Sequence, residues 1–307
     1  MVIYSEVSQN ARRFLALTGY TGKEFTALLP YFQAEFETYV ETYTLDGKPR
    51  LKRSYSTYSN SPLPTMEDKL LFILVYVKQA PTQQMQGELF GMSQSKANIW
   101  IHRLHPMLNR ALGAAGELPV REAERLDLDD EEYQLFFHDG TERPIQRPKD
   151  QDAQKMYYSG KKKQHTVKNN VIITADCKVC FLTPTCEGRK HDKRVTDEAN
   201  YTFPQGSTVC QDTGFQGFRP ENVIILQPKK KPRGGQLTPE EKAENQRISS
   251  IRIRIEHAIG GVKRYRIVKD KVRVRKRGFR DQLMETCCAL HNFRLNFRPW
   301  HYEAAII

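Results

Sequence analysis

Long apolar runs are missing from this 307-residue chain: the longest covers 70–77, eight residues, against the roughly 20 needed to cross a bilayer as a helix. That excludes a helical membrane protein. Also missing is a basic start followed by an apolar stretch, since the chain opens MVIYSEVSQNARRF, so no secretory signal is expected. Cysteine is scarce, at positions 177, 180, 186, 210, 287 and 288, and an intracellular chain keeps such thiols reduced. Cys177, Cys180, Cys186 and His191 include the residue types of a zinc set. However, no second paired cluster exists, and Cys177 and Cys180 flank a hairpin-like stretch, so small buried side chains are the expected role. With 39% hydrophobic and 10% aromatic residues, the chain cannot be wholly disordered, and its length allows one large domain or two.

What the sequence does have is positive charge, +12 in total, and its placement is informative. Residues 1–130 carry 14 basic and 15 acidic side chains, 131–228 carry 14 and 13, 229–280 carry 18 and 5, and 281–307 carry 2 and 3. The whole excess therefore lies in one block. A polyanion is the natural partner for such a block, nucleic acid being the commonest, with a solvated basic face as the competing reading.

The N-terminal half reads as helices. Thr21 and Glu24 form a capping box for a helix to about residue 39, with Phe25, Leu28, Leu29, Phe32 and Phe36 at helical spacing. Residues 42–64 are a polar, proline-containing loop carrying Lys48, Arg50, Lys52 and Arg53. Thr65 starts a second helix over 69–79 that is apolar all round and hence buried. Thr82 caps a short helix over 83–90, Gly91 makes a tight turn, and a longer helix runs from 93 or 94 towards 112. This is the arithmetic of a helix-turn-helix. Gln94, Ser95, Lys96 and Asn98 in the first turn of the last helix could reach bases or phosphates. An ordinary helical hairpin gives the same pattern. Residues 113–130, ending in an acidic run, read as a linker.

The C-terminal half alternates. A strand over 133–138 ends at Asp139-Gly140, strands over 164–174 and 179–184 are joined by a hairpin, a short helix covers 193–201, and strands follow over 207–211 and 222–227. Thr238-Pro-Glu-Glu241 then opens a long helix to about 260. Asp139 and Asp212 end two strands that can be neighbours in a mixed sheet, and Glu256 lies on the helix. Three converging carboxylates raise each other's pKa unless cations intervene. Two Mg²⁺ ions, with Mn²⁺ able to replace them, would activate a nucleophilic oxygen and stabilise the leaving oxygen of a phosphodiester. Three unrelated surface carboxylates are the alternative.

Several runs resemble DDE transposases of the insertion-sequence-five and Harbinger type. They are His138-Asp-Gly-Thr-Glu142 through Pro148, Tyr158-Ser-Gly-Lys-Lys-Lys163-x-His165-Thr-Val-Lys168, Gly188-x-x-His191-Asp192, Gln211-Asp-Thr-Gly-Phe-Gln-Gly217 and Arg252-x3-Glu256-x6-Lys263. The stretch from Thr21 to Leu112 resembles that family's helix-turn-helix region, so the likeness spans nearly the whole chain. It implies an α+β protein: a helical helix-turn-helix DNA-binding region over 1–112, a linker over 113–130, and a ribonuclease-H-like catalytic domain with a basic segment over 131–307. Asp139, Asp212 and Glu256 match the family's metal-binding triad. The family's tyrosine three residues before Arg252 is Ser249 here.

Arg252, Glu256 and Lys263 share one helix face, where the two cations could hold phosphates beside the metals. Lys161, Lys162, Lys163 and His165, and the alternating stretch with Arg273, Arg275 and Arg277, are further candidate DNA contacts. PKKKPR at 228–233 reads as a DNA-facing loop before a nuclear-localisation signal. The implied activity is transposition: binding of terminal inverted repeats in duplex DNA, cleavage at element ends and strand transfer into target DNA, by a homodimer without membrane association. The setting would be the nucleoid of a bacterium or the nucleus of a eukaryote. A domesticated, non-catalytic DNA-binding regulator and a structure-specific nuclease of the same fold are the alternatives.

Overall fold

A computed structural model of the chain describes residues 1–51, 54–58, 60–123, 134–274 and 276–302. They form two compact units, one helical and one built on a sheet. Lys52, Arg53, Arg275 and most of the acidic end of the expected linker lie outside the described residues.

The helical unit contains α1 (Tyr4–Val7), α2 (Ala11–Thr18), α3 (Gly22–Thr42), α4 (Met66–Gln79), α5 (Gln83–Leu89) and α6 (Gln94–Ala114). Side chains start these helices where the sequence places them. Thr21 and Glu24 form the reciprocal capping box of α3, and Thr65, Thr82 and Ser93 each accept a backbone N–H at the heads of α4, α5 and α6. Residues 70–77 of α4 are all buried, as an all-round apolar helix demands. Lys69 shares that interior, its Nζ donating to the carbonyls of Leu63, Pro64 and Thr65 at 3.0–3.4 Å. At the α5–α6 turn, a Cβ on Gly87 would meet the Met92 carbonyl oxygen at 2.5 Å, so close approach of backbone requires glycine there.

The helical unit does not end at residue 112 or 118. It also takes in Lys263–Asp270, with α10 (Arg266–Lys269), and Gln282–Phe297, most of α11 (Arg277–Leu295). Thus the expected division into 1–112, 113–130 and 131–307 runs along the chain, whereas this unit is discontinuous. The reason is hydrogen bonding and burial: Tyr20 Oη donates to the Leu290 carbonyl at 2.8 Å, Asn109 Nδ2 to Thr286 Oγ1 at 3.0 Å, and Asn292 Nδ2 to the Glu117 carbonyl at 3.0 Å. Cys287, Cys288 and Leu290 are fully buried among them.

The sheet unit comprises Pro119–Val262, Lys271–Asp281 and Arg298–Ile307. Its strands are β1 (Leu135–Pro144), β2 (Tyr158–Ser159), β3 (Gln164–Thr174), β4 (Val179–Leu182), β5 (Cys186–Glu187), β6 (Thr208–Gln211) and β7 (Ile224–Leu226). The order is β2-β3-β1-β6-β7, with β4 and β5 also paired to β3. β1 is antiparallel to β3 and parallel to β6, so the sheet is mixed. Among the described residues this unit holds α7 (Gln151–Tyr157), α8 (Asp192–Ala199), α9 (Pro239–Lys263, of which Lys263 groups with the helical unit) and the start of α11. Helices followed by a mixed sheet are the α+β arrangement of a ribonuclease-H-like fold. A core of Phe136, Ile172, Phe181, Tyr201, Phe203 and Val209 packs on one side of the sheet.

One strand is longer than the sequence suggests. β1 continues five residues past Asp139, because β3 is long enough to pair with it from Phe136↔Thr174 to Pro144↔Thr166. Asp139 therefore lies inside the antiparallel ladder, though it follows the last residue pair of the parallel one.

Candidate active site

Strand register brings two of the three carboxylates together. In the parallel pair β1–β6 the partners are Phe137↔Cys210 and His138↔Gln211, so the next residues, Asp139 within β1 and Asp212 just past the end of β6, stand side by side. Adjacent strands stand roughly 4.8 Å apart, and residues in register point to the same face. Asp139 is half-buried, its Oδ1 accepting the Gly140 N–H at 2.7 Å. Asp212 Oδ1 accepts the Thr213 hydroxyl at 3.0 Å, while Gln227 Nε2 donates to the Asp212 carbonyl at 2.5 Å.

The pair is electrically unequal. Burial pushes the Asp139 carboxyl up to about 6; the Gly140 N–H and the Arg252 guanidinium oppose the rise, and the charges of Asp212 and Asp192 add to it. Burial acts on Asp212 in the same sense, but the Thr213 hydroxyl, Arg252 and Lys161 outweigh it and hold that carboxyl below its ordinary value. Arg252, on α9, is thus the cation shared by both aspartates. Among the described residues its Nε is buried without a hydrogen-bond partner, which leaves a donor for an incoming anion.

Behind the pair, His138 is fully buried, with its ring 3.8 Å from that of Phe215 and its Nε2 in contact with the Tyr201 hydroxyl. Burial pushes its pKa down to about 3, so the imidazole is neutral. Phe215 closes the 3₁₀ turn Thr213–Phe215 that begins at Asp212. The His138–Phe215 contact therefore ties the two aspartate-bearing segments together. Beside them an open groove of about 720 Å³ begins at Thr213 and Gln216 and is lined by Arg219, Lys229, Lys230 and Glu241.

Glu256 does not complete a three-carboxylate group. It lies exposed on α9, and among the described residues no three His, Cys, Asp or Glu side chains stand close enough together to hold a metal ion. Arg252, one turn before it on α9, is the group of that helix whose charge acts on both aspartates. The donor set nonetheless suits a hard divalent ion. It consists of two carboxylates in strand register, one of them with its pKa raised by burial and by its neighbours' charge.

Residues 138–292 match the DDE superfamily endonuclease family, and residues 61–114 match the helix-turn-helix of DDE superfamily endonuclease. The chain belongs to the DDE superfamily endonucleases. A protein of Microchaete diplosiphon named as a transposase for insertion sequence element IS702 is 27% identical over 279 residues, covering 90% of this chain and 95% of the relative. Another from Streptomyces albus G, named as a transposase for insertion sequence element IS112, is 25% identical over 208 residues, 67% of this chain and 72% of that one. No solved structure matches significantly.

In this DDE endonuclease the candidate DNA contacts are dispersed. Gln94, Ser95 and Lys96 are exposed on the first turn of α6 and Asn98 is half-buried, with Gln94 Nε2 donating to Gln83 Oε1 at 2.7 Å across the turn. Lys161, Lys162 and Lys163 are exposed between β2 and β3, next to half-buried His165, and only Lys161 registers at Asp212. Lys263, the last residue of α9, groups with the helical unit. In the alternating basic stretch, Val272 and Val274 pack on Ile145 and Val167 while Arg273 is exposed. Arg275 lies outside the described residues, as does the side chain of Arg277. The zinc-like set places Cys177 fully buried and Cys180 and Cys186 half-buried. Asp192, to which sequence reasoning attaches no role, reaches the site with its charge acting on Asp139; its signal is the His191-Asp192 pair at the head of α8.

Proposed function

We propose that the protein is a transposase that binds duplex DNA at terminal inverted repeats, cleaves the element ends and joins them to target DNA. The observation that carries this is the β1–β6 register, which sets Asp139 beside Asp212 with Arg252 facing both. It stands in a DDE endonuclease that also carries a helix-turn-helix.

Asp139 and Asp212 would hold divalent metal, Mg²⁺ or Mn²⁺, with Glu256 as the third ligand once the cation relieves carboxylate repulsion. When bound, such ions supply the Lewis acidity that activates water or a DNA 3′-hydroxyl and stabilises the departing oxygen. The chain's own residues do the positioning. Asp139 must give up its proton before it can serve as ligand, and at neutral pH it stands mostly ionised. Arg252 and Lys161 grip the phosphate flanking the scissile bond, the first through its buried Nε–H. Gln94, Ser95, Lys96 and Asn98 enter a major groove; Lys162, Lys163, His165, Lys263, Arg273, Arg275 and Arg277 contact the backbone more widely. Two ends must be held at once, so the working form is a homodimer.

Incubation with the DNA flanking its gene and Mg²⁺, followed by mapping of the cut ends, tests this. Asp139→Ala, Asp212→Ala and Glu256→Ala should each abolish cleavage and leave end binding within about twofold. Mg²⁺-dependent cutting by any of the three would refute the assignment.

A further inference from the structure

Gly140 and Gly214 follow the two aspartates by one and two residues, and neither has a positive φ. Backbone conformation therefore does not demand glycine at either place. Space does at Gly140, where a Cβ would lie 2.6 Å from Asp192 Oδ1, and it is tight at Gly214, where a Cβ would lie 3.1 Å from Asp192 Oδ2. One carboxylate occupies the room that two absent side chains leave.

That carboxylate is firmly anchored. Lys168 on β3, 5% exposed, donates from Nζ to Asp192 Oδ1 at 2.7 Å and has Glu142 Oε1 at 3.8 Å. Glu142 accepts the Thr166 hydroxyl at 2.7 Å. From Asn170, also on β3, Nδ2 donates to the Asp192 carbonyl at 2.8 Å and to Thr196 Oγ1 at 3.0 Å. Both the side chain and the backbone of the first residue of α8 are thus fixed to the strand that pairs with β1. A lysine so deeply buried is costly without such partners.

We propose that Asp192, held by Lys168, is a positioning residue for the Asp139–Asp212 pair: its carboxylate, seated against Gly140 and Gly214, sets the spacing of the two segments that present the aspartates. With Oδ1 of Asp192 engaged by Lys168, the role assigned to Asp192 is exerted through the two glycines. The inference rests on the reading of Asp139 and Asp212 as cation ligands.

Titrating metal-free, full-length protein with Mn²⁺, with the free ion followed by electron paramagnetic resonance, separates the two ideas. Asp139→Asn is the reference; if it leaves Mn²⁺ binding unchanged, the ligand assignment itself fails. If it abolishes binding, the positioning role predicts that Asp192→Asn and Gly140→Ala each weaken Mn²⁺ affinity by about tenfold to hundredfold, the range for residues that orient metal ligands. Gly140→Ala changes no charge, so its loss reports geometry. The double variant Gly140→Ala/Asp192→Asn disturbs one contact from both sides, so its loss in binding free energy should fall short of the sum of the two single losses. Far-UV circular dichroism confines the comparison to folded variants, and Asp192→Asn, close in size to the native residue, carries the test alone should Gly140→Ala not fold. Wild-type affinity in Gly140→Ala or in Asp192→Asn, or losses that simply add in the double variant, would overturn the proposal.

Discussion

Replacing Asp139 with Asn should make the metal-free protein more stable while removing its cation site. In the folded chain burial pushes the Asp139 carboxyl from 3.8 up to about 6, so the fold binds this proton more tightly than the unfolded chain does. Stability from this group is fully present below the unfolded value and is lost as pH rises through about 6. At pH 7.5 the carboxylate then costs the fold about 3 kcal/mol, at 1.36 kcal/mol for each pK unit, and at pH 4.5 about 1 kcal/mol. An Asn side chain is never charged, and its amide oxygen can still accept the Gly140 N–H that now bonds Oδ1 at 2.7 Å. Heat denaturation in EDTA should show the variant melting roughly 6–10 °C higher at pH 7.5, with about a third of that gain at pH 4.5. A variant that melts at or below the wild type at pH 7.5, or a gain that does not shrink in acid, would refute the account of Asp139 as a buried, cation-seeking carboxylate.

Arg252→Gln should destabilise the metal-free protein by about 1–2 kcal/mol, since both aspartates lose their shared cation; millimolar Mn²⁺ should restore most of the loss, as melting curves with and without the ion will show. His138 should make the sheet unit acid-sensitive: its pKa is pushed down to about 3, so its contribution is complete above 6.5 and is lost as pH falls below it. His138→Phe should flatten acid denaturation followed by tryptophan fluorescence, and an unchanged slope would exclude this origin. Gly87→Ala, a change that ordinarily favours a helix by about 1 kcal/mol, should instead destabilise the helical unit by about 1–3 kcal/mol because its Cβ meets the Met92 carbonyl at 2.5 Å; a melting point at or above the wild type's would count against the tight α5–α6 turn.

What could be read from the sequence was mostly local. The Thr21–Glu24 and Thr238–Glu241 capping boxes form as spaced, the latter with Glu241 N–H on the Thr238 hydroxyl at 3.2 Å, because each needs only four consecutive residues. Strand neighbours β1 and β6 were legible from element order together with the position of an aspartate at each strand's end. The length of β1 was not: residues 140–144 are polar and look like loop until β3 is known to pair with them. Helix α11 has Phe279, Leu283, Met284, Cys287 and Leu290 at helical spacing, a pattern masked by the dense basic block in which the helix begins. The approach of Asp192 to Gly140 and Gly214 joins three separate segments, and no periodicity announces such a meeting. Glu256 illustrates the opposite limit: the sequence places it on a long helix, as α9 is, but spacing along one helix does not fix its distance from two aspartates on a sheet.

The order in which residues are made matters for the helical unit. Tyr20, Asn109 and Glu117 find their partners at Leu290, Thr286 and Asn292, which leave the ribosome only after the whole segment 119–262 has been translated. At about 5–20 residues per second that wait is roughly 10–30 s, during which α1 to α6 exist with one side unsealed. A chain that stops early carries the exposed first turn of α6 on an unfinished body. Such a chain lacks the partners of Tyr20, Asn109 and Glu117, so the helical unit is complete only once α11 is in place.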